Sequence, residues 1–460
     1  MDTQAVAENG SVVSILADKI SSFGADRLNG RALEQAKHCI ADTVGVMLAG
    51  AGEACTRILS DTPGVATAPG PCLILGGTRT TSALDAALVN GTASHALDYD
   101  DICGDFGGHH SAPIVPMLLA LAQERGGSGR HFLTAYAVGV ETEIRLARAV
   151  HPHHYDKGWH PTATLGVFGA AAAASRFIGL DAGRTAMALA IAGSLAGGVK
   201  ASFGTMTKPL HVGHCGRDGL LAMLLAEKGF DGSSQIFEHR QGFLNVFNGK
   251  GTFDISAMMR GWGEELEIAG ETIGIKQFPC CGSTHAAITA ALTLARRHGI
   301  DAREVARIEI LPNVNRLRHT DKPWPVSTLD AKFSVQYVVA RAIQSGNVRL
   351  EDFEGDAHLQ PEIQRLLGVT QARPHPEMGE GGPQWGAEVI VAMGDGSVYA
   401  ERIANLVSRD GSYPMTADEL KEKFANCAGR VLDALRAESL FERLQALEHV
   451  GDIRELSALL

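Results

Sequence analysis

Apolar residues in the first 265 positions recur at helical spacing. Between Arg31 and Gly50, Leu33, Ala36, Ile40, Val44 and Met47 or Leu48 mark one face of a packed helix, with Gly50 as its C-terminal stop. Residues 51–81 are rich in Gly, Pro and Thr and read as loop with one short strand at Cys72–Leu75. Helical spacing returns from Ser82, a candidate N-cap, to Ala96. It returns again around Pro113 and Pro116, assigned to a first turn where proline is tolerated, and runs to about Arg125. From Phe132 to Lys228, Ala- and Leu-rich helical patterns alternate with Gly-containing breaks, and neither strand-like alternation nor a repeat of fixed period appears. The abundance of small residues predicts helices that approach closely.

The pattern changes near Glu271. Glu271–Phe278 and Val305–Pro312 read as strands, and Ser283–His298 and Lys332–Gln344 as helices. Ala387–Met393 and Ser397–Ile403 flank Gly394-Asp395-Gly396, a hairpin signal. Helical spacing resumes from Thr416, in a tail expected to pack on the first domain. The expected fold is mostly α, with a large all-helical domain (1–268 and 405–460) and a smaller α+β domain (269–404) inserted before the C-terminal helices.

With 460 residues the chain can bury a large core. A net charge of −11 argues against nucleic-acid or anionic-membrane partners, which need a basic footprint. The eight cysteines are scattered, and Cys280 and Cys281 are adjacent, a poor geometry for an ordinary disulfide, so a reducing, cytoplasmic setting is expected. No secretory signal or membrane span is expected: the start lacks a basic segment before an apolar run, and the uncharged window after Lys157 contains His160, Pro161 and several Thr and Gly residues.

Four stretches gather reactive side chains. HALDYDDICGDFGGHHSAP (95–113) holds Asp98, Asp100, Asp101, His95, His109 and His110 in a core-like context. GWHPTATLG (158–166) sets His160 before a proline. FGTMTKPLHVGHCGRDG (203–219) reads as a Gly-rich loop entering a helix and carries Lys208, His211, His214 and Arg217, while KQFPCCGSTH (276–285) lies at a strand-to-helix turn. Each has a bland alternative: the aspartates as caps and turn formers, His160 and Lys208 as loop hydrogen-bonders, the cysteines as small buried hydrophobes. Their co-occurrence favours function. A metal is not expected, because HPHHYD (151–156) reads as exposed and no second cluster completes it. There is no GxGxxG after a strand, no GxxxxGK[ST] and no GxSxG, so nucleotide cofactors and a serine nucleophile are not expected. Acid–base chemistry without a cofactor remains, for which a base, a charge-stabilising group and an acid are required.

ADTVGVMLAG (41–50), NGTASHALDYDD (90–101), GHHSAPIVPMLLALA (108–122), GWHPTATLGVFGAAAAAS (158–175), TMTKPLHVG (205–213), FPCCGSTHAAI (278–288) and AKFSVQYVVA (331–340) together resemble the MmgE/PrpD family of 2-methylcitrate dehydratases, cis-aconitate decarboxylases and iminodisuccinate epimerases. The resemblance implies a helical domain, an α+β lid, a homodimer and a small polycarboxylate substrate. It places Asp98, His109, His160 and Lys208 as catalytic: Lys208 and His109 as carboxylate-binding or proton-transfer groups, Asp98 and His160 as acid–base partners. It implies substrate contacts from His110, Ile102, Cys281, His285 and Arg316. Three of these depart from the decarboxylase type, which has threonine in place of Ile102, histidine in place of Cys281 and tyrosine near Arg316; His110 replaces a family proline. These departures argue against decarboxylation, and the first reading is a hydro-lyase acting on a hydroxy di- or tricarboxylate by α-proton abstraction. An epimerase of an imino- or amino-dicarboxylate is the second reading, and a non-catalytic dicarboxylate-binding protein the third.

Overall fold

Small residues set the spacing of the helices. In the computed structural model, which describes residues 10–379 and 385–460, twelve helices are ten residues or longer: α1 (Val12–Ser21), α2 (Gly30–Gly50), α3 (Ala83–His95), α4 (Ser111–Arg125), α5 (Gly129–Val150), α6 (Gly166–Ile178), α7 (Ala182–Leu195), α8 (Thr207–Glu227), α9 (His285–His298), α10 (Val335–Ser345), α11 (Ala417–Ala428) and α12 (Ala434–Gln445). The fold is mostly α. The chain divides into two compact units, one running to Ile275 and resuming at Asp410, the other spanning Lys276–Arg409.

In the first unit, α3 and α8 meet at Gly91 and Gly213. A methyl group on Gly91 would lie 2.8 Å from the Gly213 Cα, and one on Gly213 would lie 2.1 Å from the Leu88 carbonyl oxygen. Side chains at this crossing would push the helices apart, and with them the ends that carry His95 and Lys208. The core between the helices is apolar and closed, with Met47, Val115, Met117, Phe132, Ile144, Val167, Phe168 and Leu220 all buried. C-terminal helices α11 and α12 belong to this unit, and Thr416 caps α11 reciprocally with Glu419.

The second unit has a sheet in the order β6 (Thr370–Ala372), β5 (Val305–Pro312), β7 (Ala387–Met393), β8 (Val398–Ile403). β5 and β6 are parallel and the remaining pairs antiparallel. Ala387, Val389 and Val391 alternate into a core shared with Ile288, Leu292, Val338 and Val339 of α9 and α10.

Several expectations need correction. Glu271–Phe278 is not a strand of the second unit. Only β4 (Ile273–Gly274) forms there, and it pairs with β3 (Ile102–Cys103) in the first unit, which also holds the two-residue pair β1 (Cys72–Leu73) and β2 (Thr80–Thr81). Pro116 lies inside α4, beyond its first turn. Residues 207–217 are helix rather than loop, because Pro209 falls in the first turn and the glycines are contact points. His154 of the HPHHYD stretch is buried, its Nε2 2.7 Å from Thr164 Oγ1.

Candidate acid–base site

Helix α3 begins at Ser82, whose hydroxyl accepts from the Asp85 amide at 3.2 Å, and it ends at His95. The chain then turns through Asp98, whose φ of +53° is a left-handed conformation that aspartate tolerates better than most residues. His109 and His110 lead into α4, Pro161 starts the short helix after His160, and Lys208 occupies the first turn of α8. The His109 amide donates to Thr162 Oγ1 at 3.1 Å, tying the third of these segments to the second.

The side chains converge. Lys208 Nζ donates to Asp98 Oδ1 at 2.8 Å, and His109 Nε2 lies 3.5 Å from the same oxygen. Asp100 Oδ2 lies 2.8 Å from His95 Nδ1 and 2.9 Å from His109 Nδ1. One buried carboxylate therefore faces two imidazoles, hydrogen-bonded to His95 and at ion-pair distance from His109, and its attraction for an Nδ1 proton favours Nε2 of each ring as the basic nitrogen. The His160 ring lies 5.9 Å from that of His95, and its Nδ1 is 3.3 Å from His211 Nδ1. Phe203 closes this side, with its ring 4.9 Å from His160 and 5.2 Å from the Lys208 ammonium.

Burial and charge divide the protonation states. Burial alone would raise Asp100, but His109 and His95 reverse it and hold the carboxyl well below the usual range. Burial lowers His95 to about 4 against the pull of Asp100. His160 is driven well below its ordinary value by burial, then by His95 and Lys208. The cluster thus holds an ionised Asp100 beside neutral His95 and His160 at neutral pH. Nε2 of His95 is buried with no hydrogen-bond partner.

His95, Asp98, Asp100 and His109 offer ligand atoms within 4.8 Å of one another, a spacing that could hold a cation. A cation there would face the Lys208 ammonium, which already occupies Asp98 Oδ1. The donor set is better suited to moving protons.

His110 turns elsewhere. Its ring is fully buried, with Nε2 3.4 Å from Asp101 Oδ2, and Cys39 offers a third ligand atom of the same cluster. Ser111 Oγ donates to Asp101 Oδ2 at 2.5 Å and lies 2.6 Å from the Tyr136 hydroxyl. Burial, relieved by Ser111 and increased by Asp100, raises Asp101 to about 7, and burial followed by His109 lowers His110 to about 3. His110, expected at substrate, stands at the N-cap of α4 within this enclosed network. Ile102 is half-buried and pairs with Gly274.

The other three residues expected at substrate belong to the second unit. Cys281 is buried and its amide donates to the Lys332 carbonyl at 3.0 Å. His285 is buried, its Nε2 3.3 Å from the Cys280 carbonyl oxygen and its ring edge-on to Phe278. The Arg316 guanidinium stacks 4.1 Å from the Trp385 ring centre.

The site reading from sequence left His95, Asp100 and His211 out of the catalytic set, and it did not single out Tyr136, which lies beside Ser111, or the buried ion pair of Asp42 Oδ1 with Lys423 Nζ at 2.6 Å. Asp42 did leave a signal, as a lone carboxylate on an otherwise apolar helical run.

The MmgE/PrpD N-terminal domain matches residues 14–256, and the MmgE/PrpD C-terminal domain matches 278–448. The chain belongs to the MmgE/PrpD family. Among curated proteins, it is 28% identical to the human cis-aconitate decarboxylase over 98% of this chain and 94% of that protein. It is 29% identical to the mouse cis-aconitate decarboxylase, over 82% and 78%. The cis-aconitate decarboxylase of Aspergillus terreus is 26% identical over 98% and 96%. No described helix of this family member is long and apolar enough to cross a membrane.

Proposed function

We propose that this MmgE/PrpD protein is a cofactor-independent lyase acting on a small tricarboxylate, and that it removes water from a hydroxy acid of the 2-methylcitrate kind. The names of its relatives support a lyase of tricarboxylates, and the sharing of Asp100 by His95 and His109 is the observation that carries the chemistry. In this reading His109 Nε2 takes the proton α to a substrate carboxylate. Lys208 leaves Asp98 partly to bind that carboxylate and hold the negative charge that develops on it. Asp98, 3.5 Å from His109 Nε2, then stabilises the imidazolium. The carbanion electrons form the double bond as the hydroxyl leaves, and the proton that turns it into water is the one His109 has taken, with neutral His160 assigned to hold the departing oxygen by a hydrogen bond. His285, Cys281 and Arg316 are assigned to substrate contacts on the second unit. A cytoplasmic setting is part of the proposal, supported by the scattered cysteines and the adjacent Cys280 and Cys281, and family resemblance supports a homodimer.

Decarboxylation is the second reading, favoured by the relatives' names. Ile102, Cys281 and Arg316 weigh against it, because they stand where the decarboxylase type has polar groups. Epimerisation shares the first step and releases nothing. NMR of the protein in deuterated buffer with 2-methylcitrate, citrate and cis-aconitate separates the three. The proposal expects loss of water to an alkene. Release of carbon dioxide would replace it with decarboxylation, and deuterium uptake without change of composition would replace it with epimerisation.

A further inference from the structure

We infer that Lys423, in the C-terminal helix α11, is a positioning residue for the catalytic loop. Its ammonium donates to the Tyr99 carbonyl at 2.8 Å, pairs with Asp42 Oδ1 of α2 at 2.6 Å and lies 3.9 Å from the centre of the Tyr99 ring. Lys423, Asp42 and Tyr99 are all buried. Tyr99 sits between Asp98 and Asp100, the two carboxylates that organise Lys208, His109 and His95. The turn that presents them passes through the left-handed conformation of Asp98, an arrangement that surrounding contacts must maintain. The Asp98 amide donates to the His95 carbonyl on one side of that conformation, and Lys423 grips the Tyr99 carbonyl on the other.

A buried lysine that served packing alone would need only its carboxylate. Here the same ammonium reaches a loop carbonyl 324 residues away in sequence. The segment after the inserted second unit thereby becomes part of the catalytic apparatus, with α11 fixing α2 and the Asp98–Asp100 turn through one charge. Phe424 keeps α11 in place, its ring 3.0 Å from where a methyl group on Gly45 of α2 would stand.

The inference rests on Asp98 and Asp100 acting in the proposed chemistry, but its test separates the two. Removing Lys423 alone would leave Asp42 buried without its cation, so the variant is the apolar pair Asp42→Leu/Lys423→Met, which removes both charges at similar volume. Asp42→Asn, which keeps the bond to Tyr99, is the control. Hydrogen–deuterium exchange of peptides covering residues 96–103, read by mass spectrometry, needs no substrate. The double variant is expected to exchange at least about tenfold faster there while its unfolding midpoint stays near native, and the control is expected to resemble the native protein. With a substrate found by the NMR panel, kcat of the double variant should fall by about tenfold or more, with KM changed far less. A folded double variant with native exchange over 96–103 would overturn the inference, whatever the substrate. Faster exchange with unchanged kcat would leave Lys423 a structural residue only and also overturn it. Should the double variant not fold, native-state exchange of the unaltered protein in low denaturant decides: residues 96–103 and 417–428 should lose protection in one opening, and opening of the loop while α11 stays protected would refute the coupling.

Discussion

Replacing Asp100 by Asn tests the geometry of the site at its narrowest point. Asp100 is fully buried and presents one oxygen at 2.8 Å from His95 Nδ1 and 2.9 Å from His109 Nδ1. A carboxylate can accept from both rings, whereas an amide has one oxygen and one NH2. In the variant the rings meet either the amide oxygen or the NH2 at that shared position, and a ring that meets the NH2 must present a lone pair at Nδ1, moving its proton to Nε2. If that ring is His109, the base facing Asp98 is lost without any change of shape. Where a buried aspartate fixes the tautomer of a catalytic histidine, the same substitution costs about 10⁴-fold in kcat, or about 5.5 kcal/mol of barrier. Because the amide oxygen can also take the shared position and accept from the rings, we expect a loss of about 10²–10⁴-fold. KM should change much less, since Lys208 is untouched. The assay is steady-state turnover by NMR with the substrate established for the native protein, accompanied by thermal unfolding to verify the fold. A folded Asp100→Asn protein within tenfold of native kcat would refute the shared-carboxylate argument.

Two further outcomes follow from the packing and the buried charges. Burial raises Asp101 to about 7, so its contribution to stability is full below the unfolded carboxyl value of about 4 and is lost as pH rises through about 7. Asp101→Asn keeps an acceptor for Ser111 but cannot ionise; urea unfolding of variant and native protein should show the difference moving in the variant's favour by about 2–3 kcal/mol from pH 5 to pH 8, and a pH-independent difference would contradict this. Gly213→Ala puts a methyl group 2.1 Å from the Leu88 carbonyl oxygen, and we expect a loss of about 3 kcal/mol or more in the same assay, with a near-neutral effect disproving the close α3–α8 contact.

Local signals carried much of the fold. Ser82 caps α3, β5 spans Val305–Pro312, and the Gly394-Asp395-Gly396 turn joins β7 to β8, because each depends on residues close in sequence, whereas Gly50 is the last residue of α2 and is kept small by the Ala93 carbonyl oxygen, 2.0 Å from where a methyl group would stand. Failures arose where tertiary contact overrides local preference. Gly213, Gly216 and Gly219 read as a flexible loop, yet methyl groups on them would lie 2.1 Å from the Leu88 oxygen, 2.7 Å from the Pro113 oxygen and 2.5 Å from the Ala170 Cβ, so these glycines are the contact face of α8 against α3, α4 and α6. β6 joins the sheet through parallel pairing with β5, about sixty residues earlier, and three residues show no period. At the site, motif wording led to Asp98, His109, His160 and Lys208. Motif wording gave no means of separating Asp100, which orients two imidazoles, from Asp101, which faces Ser111 and His110, and it could not reveal a lysine more than three hundred residues downstream.

The central claim is that His109 removes a proton α to a carboxylate bound by Lys208. The most direct test is deuterium wash-in at the α carbon of the turned-over tricarboxylate, followed by NMR in the native protein, His109→Ala and Lys208→Ala. The account predicts exchange in the native protein, no exchange in His109→Ala at saturating substrate, and exchange in Lys208→Ala only at far higher substrate concentration, with both variants folded. Exchange at the native rate in His109→Ala would contradict it.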